Sequence, residues 1–136
     1  MQPIPKVSIG IPVYNGEQFL RETFQCIEQQ TFQDYEVIIS DNGSTDATEC
    51  ICREYAERDD RVRYVRFTAN QGASRNFNRV FELSRGRYFK WLADDDLIAP
   101  TFVERAVEVL DGDPEVVMVY SNTHCIDSQG QVIGSY

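Results

Sequence analysis

The sequence predicts an α/β protein with a mainly parallel sheet covered by helices on both faces, and three observations carry that prediction. Short apolar runs alternate with amphipathic ones along the whole chain. One run, Tyr35–Ser40, is too uniformly apolar to have a wet face, as expected of a strand buried inside a parallel sheet. The unusual polar residues fall where three apolar runs end, and ligands bind outside the carboxyl ends of strands in such sheets.

Taken in order, Lys6–Pro12 reads as the first strand, followed by a turn at Tyr14-Asn15-Gly16. Phe19, Leu20, Thr23, Phe24 and Ile27 then share one face of a helix. Tyr35–Ser40 is the second strand and Asp41–Asp46 a turn cluster. Thr45 or Asp46 is expected to cap a second helix running to about Arg58. Val62–Phe67 is a third strand, and Gly72–Ser84 a third helix expected to bury Phe77, Val80 and Phe81. Arg87–Ala93 is a fourth strand. A helix follows from Pro100 to Leu110 with proline at its favoured first position, then a strand over Glu115–Tyr120. The tail, His124–Ile133, reads as a hairpin around Ser128-Gln129-Gly130. No repeat or linker divides the chain, so residues 1–136 are read as a single domain.

The composition is that of a globular protein, 42% hydrophobic and 26% charged. The formal net charge of −9 argues against a nucleic-acid partner, which would need clustered Lys and Arg. It also means that a phosphate-bearing ligand would be repelled unless a cation intervened. The opening residues lack the form of a secretory signal, and no apolar run approaches the ~20 residues of a membrane span. A cytoplasmic protein is expected, with peripheral attachment at the inner membrane face left open. Cys26, Cys50, Cys52 and Cys125 lack paired zinc-ligand spacing, and reduced thiols serving as packing residues are expected.

Asp94-Asp95-Asp96 is the most informative cluster. Three adjacent carboxylates at the end of an apolar strand repel one another, and protonation, exposure or a hard divalent cation relieves them. Mg2+ and Mn2+ take one or two carboxylates together with substrate phosphates. A solvated acidic turn is the competing reading, and the strand-end position favours the cation. Asp41 closes the second strand, where its carboxylate can accept the edge N–H of uracil, thymine or guanine, while Asp-Asn-Gly is equally good turn chemistry. Tyr14 can stack on a base. Asn70-Gln71-Gly72 opens the third helix, where its free N–H groups and Arg75 can face an anion or simply cap the helix. Neither the dinucleotide-binding GxGxxG nor the phosphate-binding GxxxxGK[ST] is present, and no Gly-rich basic loop of a nucleotidyltransferase stands near the start.

The run Val7–Gly16 with Phe19-Leu20, then Glu36–Asp46, then Asn70-x-Gly72 with Arg75-Asn76, then Leu92–Asp96, resembles the motifs of family 2 glycosyltransferases in their order. The resemblance implies a Rossmann-like GT-A fold, a UDP- or dTDP-sugar donor, a divalent cation (Mn2+ or Mg2+) and transfer with inversion. On it, Pro12, Tyr14, Asn15 and Glu17 match the first nucleotide-contacting loop and Asp41 the base-recognising aspartate. Gly72, Arg75 and Asp94 complete the nucleotide-binding set, with Asp95 and Asp96 as metal ligands. Many relatives carry an aspartate where this chain has Ala93, which leaves Asp95 as the firmest single ligand. The resemblance fits cell-surface polysaccharide biosynthesis and leaves the acceptor (saccharide, lipid-linked or protein) open. The general base is expected downstream of Tyr136, so these 136 residues are expected to supply the donor half and to lack robust transfer alone. A non-catalytic nucleotide-sugar-binding module is the alternative, and an uncovered apolar edge would favour a homodimer.

Overall fold

The computed structural model describes residues 3–136. Strands β1 (Val7–Val13), β2 (Tyr35–Asp41), β3 (Val62–Arg66) and β4 (Tyr88–Trp91) alternate with helices α1 (Leu20–Glu28), α2 (Thr48–Arg58) and α3 (Ala73–Glu82). Helix α4 (Phe102–Gly112) and a hairpin of β5 (His124–Ile126) and β6 (Val132–Ser135) follow. The four main strands form one parallel sheet in the order β3-β2-β1-β4. This is the parallel α/β arrangement that the sequence predicts. Among the described residues no helix is long and apolar enough to cross a membrane.

Every residue of β1 and β2 is buried, as expected of central strands of a parallel sheet covered on both faces. Val7, Ile9, Ile11 and Val13 of β1, with Tyr35, Val37 and Ile39 of β2, pack against Leu20, Phe24 and Ile27 of α1 and Ile51 and Tyr55 of α2. The opposite face of β1 receives α3. A Cβ at Gly10 would collide with Val80 and Phe89, so glycine sets how closely that helix can approach. Pro12 sits in a central strand without losing a ladder bond. Val13 turns its carbonyl to β2, where Asn42 N donates to it at 2.9 Å, so Pro12 faces β4. The β1–β4 pairing has already ended, at Gly10↔Trp91.

Four sequence expectations need correction. Helix α3 buries Val80 and Asn76, but Phe77 and Phe81 are 42% and 53% exposed. The close approach at Gly10 puts the Asn76–Val80 line against the sheet and leaves Phe81 to pack sideways on Phe89 and Trp91. The strand expected over Glu115–Tyr120 does not form, and Val117 is 93% exposed. Its residues have strand propensity, but among the described residues no strand lies alongside to complete a ladder. Helix α4 begins at Phe102, two residues after Pro100, whose carbonyl instead accepts Thr31 N at 2.9 Å. Cys26 and Cys52 are packing residues as expected, whereas Cys50 is exposed and Cys125 half-buried; all four are free thiols. The hairpin forms where predicted, turning through Gly130 in the left-handed region (φ 76°).

At the amino ends of the strands a buried carboxylate ties the sheet together. Glu36 Oε1 accepts the Ser8 hydroxyl at 2.7 Å and Arg85 N at 2.8 Å, and its Oε2 accepts Arg85 Nε at 2.9 Å. Burial disfavours the Glu36 charge, but these donors outweigh it and hold the carboxyl below its usual range. The depressed folded pKa makes the contribution complete above the unfolded value, about 4.3, and lost as pH falls through the folded one. Glu36→Gln is therefore expected to lower stability by about 2 kcal/mol near pH 7. In denaturant titrations its deficit against wild type should shrink as the pH drops below about 4; a deficit independent of pH would contradict this role.

Candidate donor-binding site

The carboxyl ends of β1 and β2 lie side by side because Val13 pairs with Asp41. The loops that leave them, Tyr14–Glu17 and Asn42–Asp46, are joined residue by residue. Asn15 N donates to Ser44 Oγ (2.9 Å), and Thr45 N to Asn15 Oδ1 (2.8 Å). Gly16 N donates to Thr48 Oγ1 (2.9 Å), Glu17 N to Asp46 Oδ2 (3.2 Å), and Ala47 N to Glu17 Oε2 (2.8 Å). Glu17 thus satisfies a free N–H at the start of α2, the position where a carboxylate is also favoured by the helix dipole. Asp46 does the same for Thr48 N at 3.0 Å. Burial disfavours the Asp46 charge, but bonds from Thr48 and from the Glu17 N–H outweigh it and hold its pKa down. Asn15 takes a left-handed backbone (φ 53°), which asparagine tolerates better than most residues.

Asp41 is closed off from solvent. Its Oδ1 accepts Ser44 N (2.8 Å), and its Oδ2 accepts the Tyr64 hydroxyl (2.8 Å) and Arg66 Nε (3.2 Å). Burial and the bond to Asp41 push the Tyr64 phenol well up, so it remains a donor. Arg66 also donates to the Ser44 carbonyl (2.8 Å), binding the end of β3 to the loop after β2. Asn42 Oδ1 accepts Gln71 N (2.8 Å), and its Nδ2 donates to Asn70 Oδ1 (3.0 Å), which places the Asn70–Gly72 turn beside the same strand ends. Buried Asn76 donates to the carbonyls of Ser40 (2.9 Å) and Val13 (3.3 Å) and accepts the Ser40 hydroxyl (2.6 Å).

The acidic turn follows β4 on the other side of β1. Asp94 is half-buried, and Asp95 and Asp96 are exposed. The Asp94 carboxylate lies against Gly16, where a Cβ would overlap it. Burial, and then the charges of Asp95, Asp46 and Asp96, push the Asp94 pKa up. Unlike Asp41, Asp46 and Glu17 on the neighbouring strand ends, the three carboxylates of this turn accept no hydrogen bond and no ion pair from another described residue. Asp95 borders a cavity of about 210 Å3 shared with Phe19, Glu22 and the hairpin turn. Asp96 borders a larger one of about 730 Å3 between β4, α4 and the segment after it.

A hard divalent cation fits this turn. The available donors are carboxylate oxygens without partners, and a cation would offset the burial and the neighbouring charges that raise the Asp94 pKa. Among the described residues no group of three or more His, Cys, Asp or Glu is gathered into a ready-made cage. An ion that takes one or two carboxylates and completes its shell with phosphate oxygens and water requires none.

The family model for glycosyl transferase family 2 matches residues 8–134, nearly the whole chain. The chain belongs to glycosyltransferase family 2. It is 36% identical over 126 residues to an uncharacterized glycosyltransferase of Rickettsia typhi, covering 92% of this chain and 38% of that protein. It is 33% identical to the chondroitin synthase of Escherichia coli, over 99% of this chain and 20% of that one. The chain therefore spans well under half the length of these relatives. Among solved structures, the mannosyltransferase PcManGT of Pyrobaculum calidifontis, in complex with GDP-Man and Mn2+, superposes with a TM-score of 0.74 at 26% identity, covering 91% of this chain and 36% of that one. TarS of S. aureus, also solved with UDP-GlcNAc, has the same fold (TM-score 0.74, 24% identity), covering 79% of this chain and 31% of that one.

Within this family member, the residues singled out from the sequence divide into two groups. Tyr14 (46% exposed), Asp95 and Asp96 present free side chains, and Gly72 opens α3 with left-handed φ of 88° and open space around it. The others are engaged with the protein itself. Pro12 is buried, Asn15 and Glu17 join the loops, Asp41 is enclosed, and Arg75 donates to Gln71 Oε1 (2.8 Å) beside the Phe67 ring. Sequence reasoning assigned no role to Asn42, Ser44, Thr48 or Asn76, which hold these loops. A polar side chain at each of several buried positions was the only available signal. Asn76→Ala removes the donor of two buried carbonyls, so thermal unfolding is expected to show a loss of about 3 kcal/mol. A loss within 0.5 kcal/mol, the scale of about one surface substitution, would contradict the clamp.

Proposed function

We propose that this chain supplies the donor-binding half of a metal-dependent, inverting glycosyltransferase, taking a UDP- or dTDP-sugar and serving transfer to an acceptor hydroxyl. The observation that carries the reading is the acidic turn: unpartnered carboxylates on a protein of net charge −9, held next to the joined loops of β1 and β2. A diphosphate approaches such a surface only with a cation between them. Asp95 and Asp96 would hold that cation, which supplies charge stabilisation to the departing nucleoside diphosphate.

Tyr14 offers an exposed ring on which the base can stack, and the open backbone at Gly72 leaves room for the donor. Asp41 is the acceptor for a base N–H. Because its carboxylate is covered by Tyr64 and Arg66, one of them must yield, and Arg66, with 30% of its side chain exposed, is the mobile choice. The Mn2+ and GDP-Man of the Pyrobaculum mannosyltransferase, and the UDP-GlcNAc of TarS, support this ligand class. No described side chain is assigned as the base that deprotonates the acceptor.

Calorimetric titration of UDP with and without Mn2+ tests the reading. Binding is expected only with metal, and Asp95→Ala should weaken it by about thirtyfold, the equivalent of ~2 kcal/mol for one charge-assisted contact. Failure of UDP, dTDP and GDP to bind the folded protein in the presence of Mn2+ would contradict it.

A further inference from the structure

Thr23 lies on the apolar face of α1, among Leu20, Phe24 and Ile27, and its residue is fully buried. A helical threonine usually donates its hydroxyl to the carbonyl one turn back in its own helix. Here the Phe19 carbonyl receives the backbone N–H groups of Glu22 (2.9 Å) and Thr23 (3.2 Å) and not the Thr23 hydroxyl. The hydroxyl leaves the helix altogether. It lies 2.9 Å from the Asp94 carbonyl and 3.2 Å from the Asp96 carbonyl, 71 and 73 residues away in the chain. One proton is therefore shared between two acceptors that flank Asp95.

We propose that Thr23 is a positioning residue for the cation site, fixing the backbone of the acidic turn so that the carboxylates on either side of it point outward in a set arrangement. This rests on the donor-site reading above. Three adjacent carboxylates repel, and a turn free to move would splay them apart. Inside the turn the described bond is Asp96 N to the Ala93 carbonyl at 3.2 Å, so the second tether has to come from outside it. Helix α1 is a rigid support for that tether, because its other inward side chains sit in the main core. The hydroxyl holds the carbonyls of Asp94 and Asp96 and leaves the side chains free. It touches neither metal nor nucleotide, so its effect passes through the geometry of the turn.

The test compares Thr23→Val, which keeps the shape and removes the hydroxyl, with Thr23→Ser, which keeps the hydroxyl. Glu36→Gln serves as a destabilised control at the opposite end of the sheet. Mn2+ binding in the presence of UDP is read from the free-Mn2+ electron paramagnetic resonance signal, well below the unfolding temperature of every variant. Thr23→Val is expected to weaken Mn2+ binding by about tenfold, the lower end for loss of an outer-shell support. Thr23→Ser should restore it, and Glu36→Gln should match wild type. Wild-type affinity in Thr23→Val, equal impairment in Thr23→Ser, or equal impairment in Glu36→Gln each overturns the proposal while leaving the donor site standing. Absence of Mn2+ binding in wild type overturns both.

Discussion

The parallel pairing of Val13 with Asp41 is the constraint on which the rest of the site depends. It ends β1 and β2 at the same level, so the two loops leave the sheet in contact. Their backbone N–H groups would otherwise be left without partners at a buried edge. The sequence supplies short side chains at the needed places: Asn15, Ser44, Asp46 and Thr48, with Glu17 reaching across to α2. Asn76 then closes the inner side from α3 by bonding the carbonyls of Val13 and Ser40 at the ends of the two strands. Each of these bonds is modest alone, of the order of 1 kcal/mol. Acting together they make the strand ends a rigid surface, which is what a binding site needs if ordering is not to be deferred to the binding step.

That rigidity makes the acidic turn electrostatically tense. Gly16 lets the Asp94 carboxylate approach the β1 loop, and burial beside Asp95, Asp46 and Asp96 raises its pKa. Several carboxylates elsewhere are matched: Glu36 by Arg85 and Ser8, Asp59 by Arg61, Asp111 by Lys6 and Tyr88. Three adjacent carboxylates without partners at a strand end are instead the donor set that a hard cation arriving with phosphate oxygens would use. The same contrast separates Asp41 from Asp95. Asp41 is held inside by three donors, whereas Asp95 faces a cavity.

Much of the fold was legible in the chain. Tyr35–Ser40 declared a central strand by lacking any polar alternation, and Asp94–Asp96 stood out because they interrupt an apolar run. The loop-joining residues were not legible as such. Asn, Ser and Thr form local turns and caps as readily as long-range clamps, and their partners here lie about 30 to 70 residues away in sequence. The structural demand on Glu17, an open start of α2, and on Asn15, the loop after β2, is invisible until the strands are paired. Phe77 and Phe81 fit a helical apolar face, but Gly10 rather than periodicity decides which side of α3 meets the sheet. Glu115–Tyr120 shows the reverse limit: local strand propensity forms no strand without a neighbour to complete its ladder.

The central claim is that the three strand ends form one donor site, and amide chemical-shift mapping tests it most directly. The folded protein would be titrated with UDP and Mg2+, and then with Mn2+ in place of Mg2+ to broaden signals near the ion. Shifts should gather at Tyr14, Ser44, Gly72 and Asp94–Asp96, with broadening centred on Asp95 and none at Glu36 or Arg85. Shifts confined to the segment after α4, or broadening centred away from the acidic turn, would contradict the account.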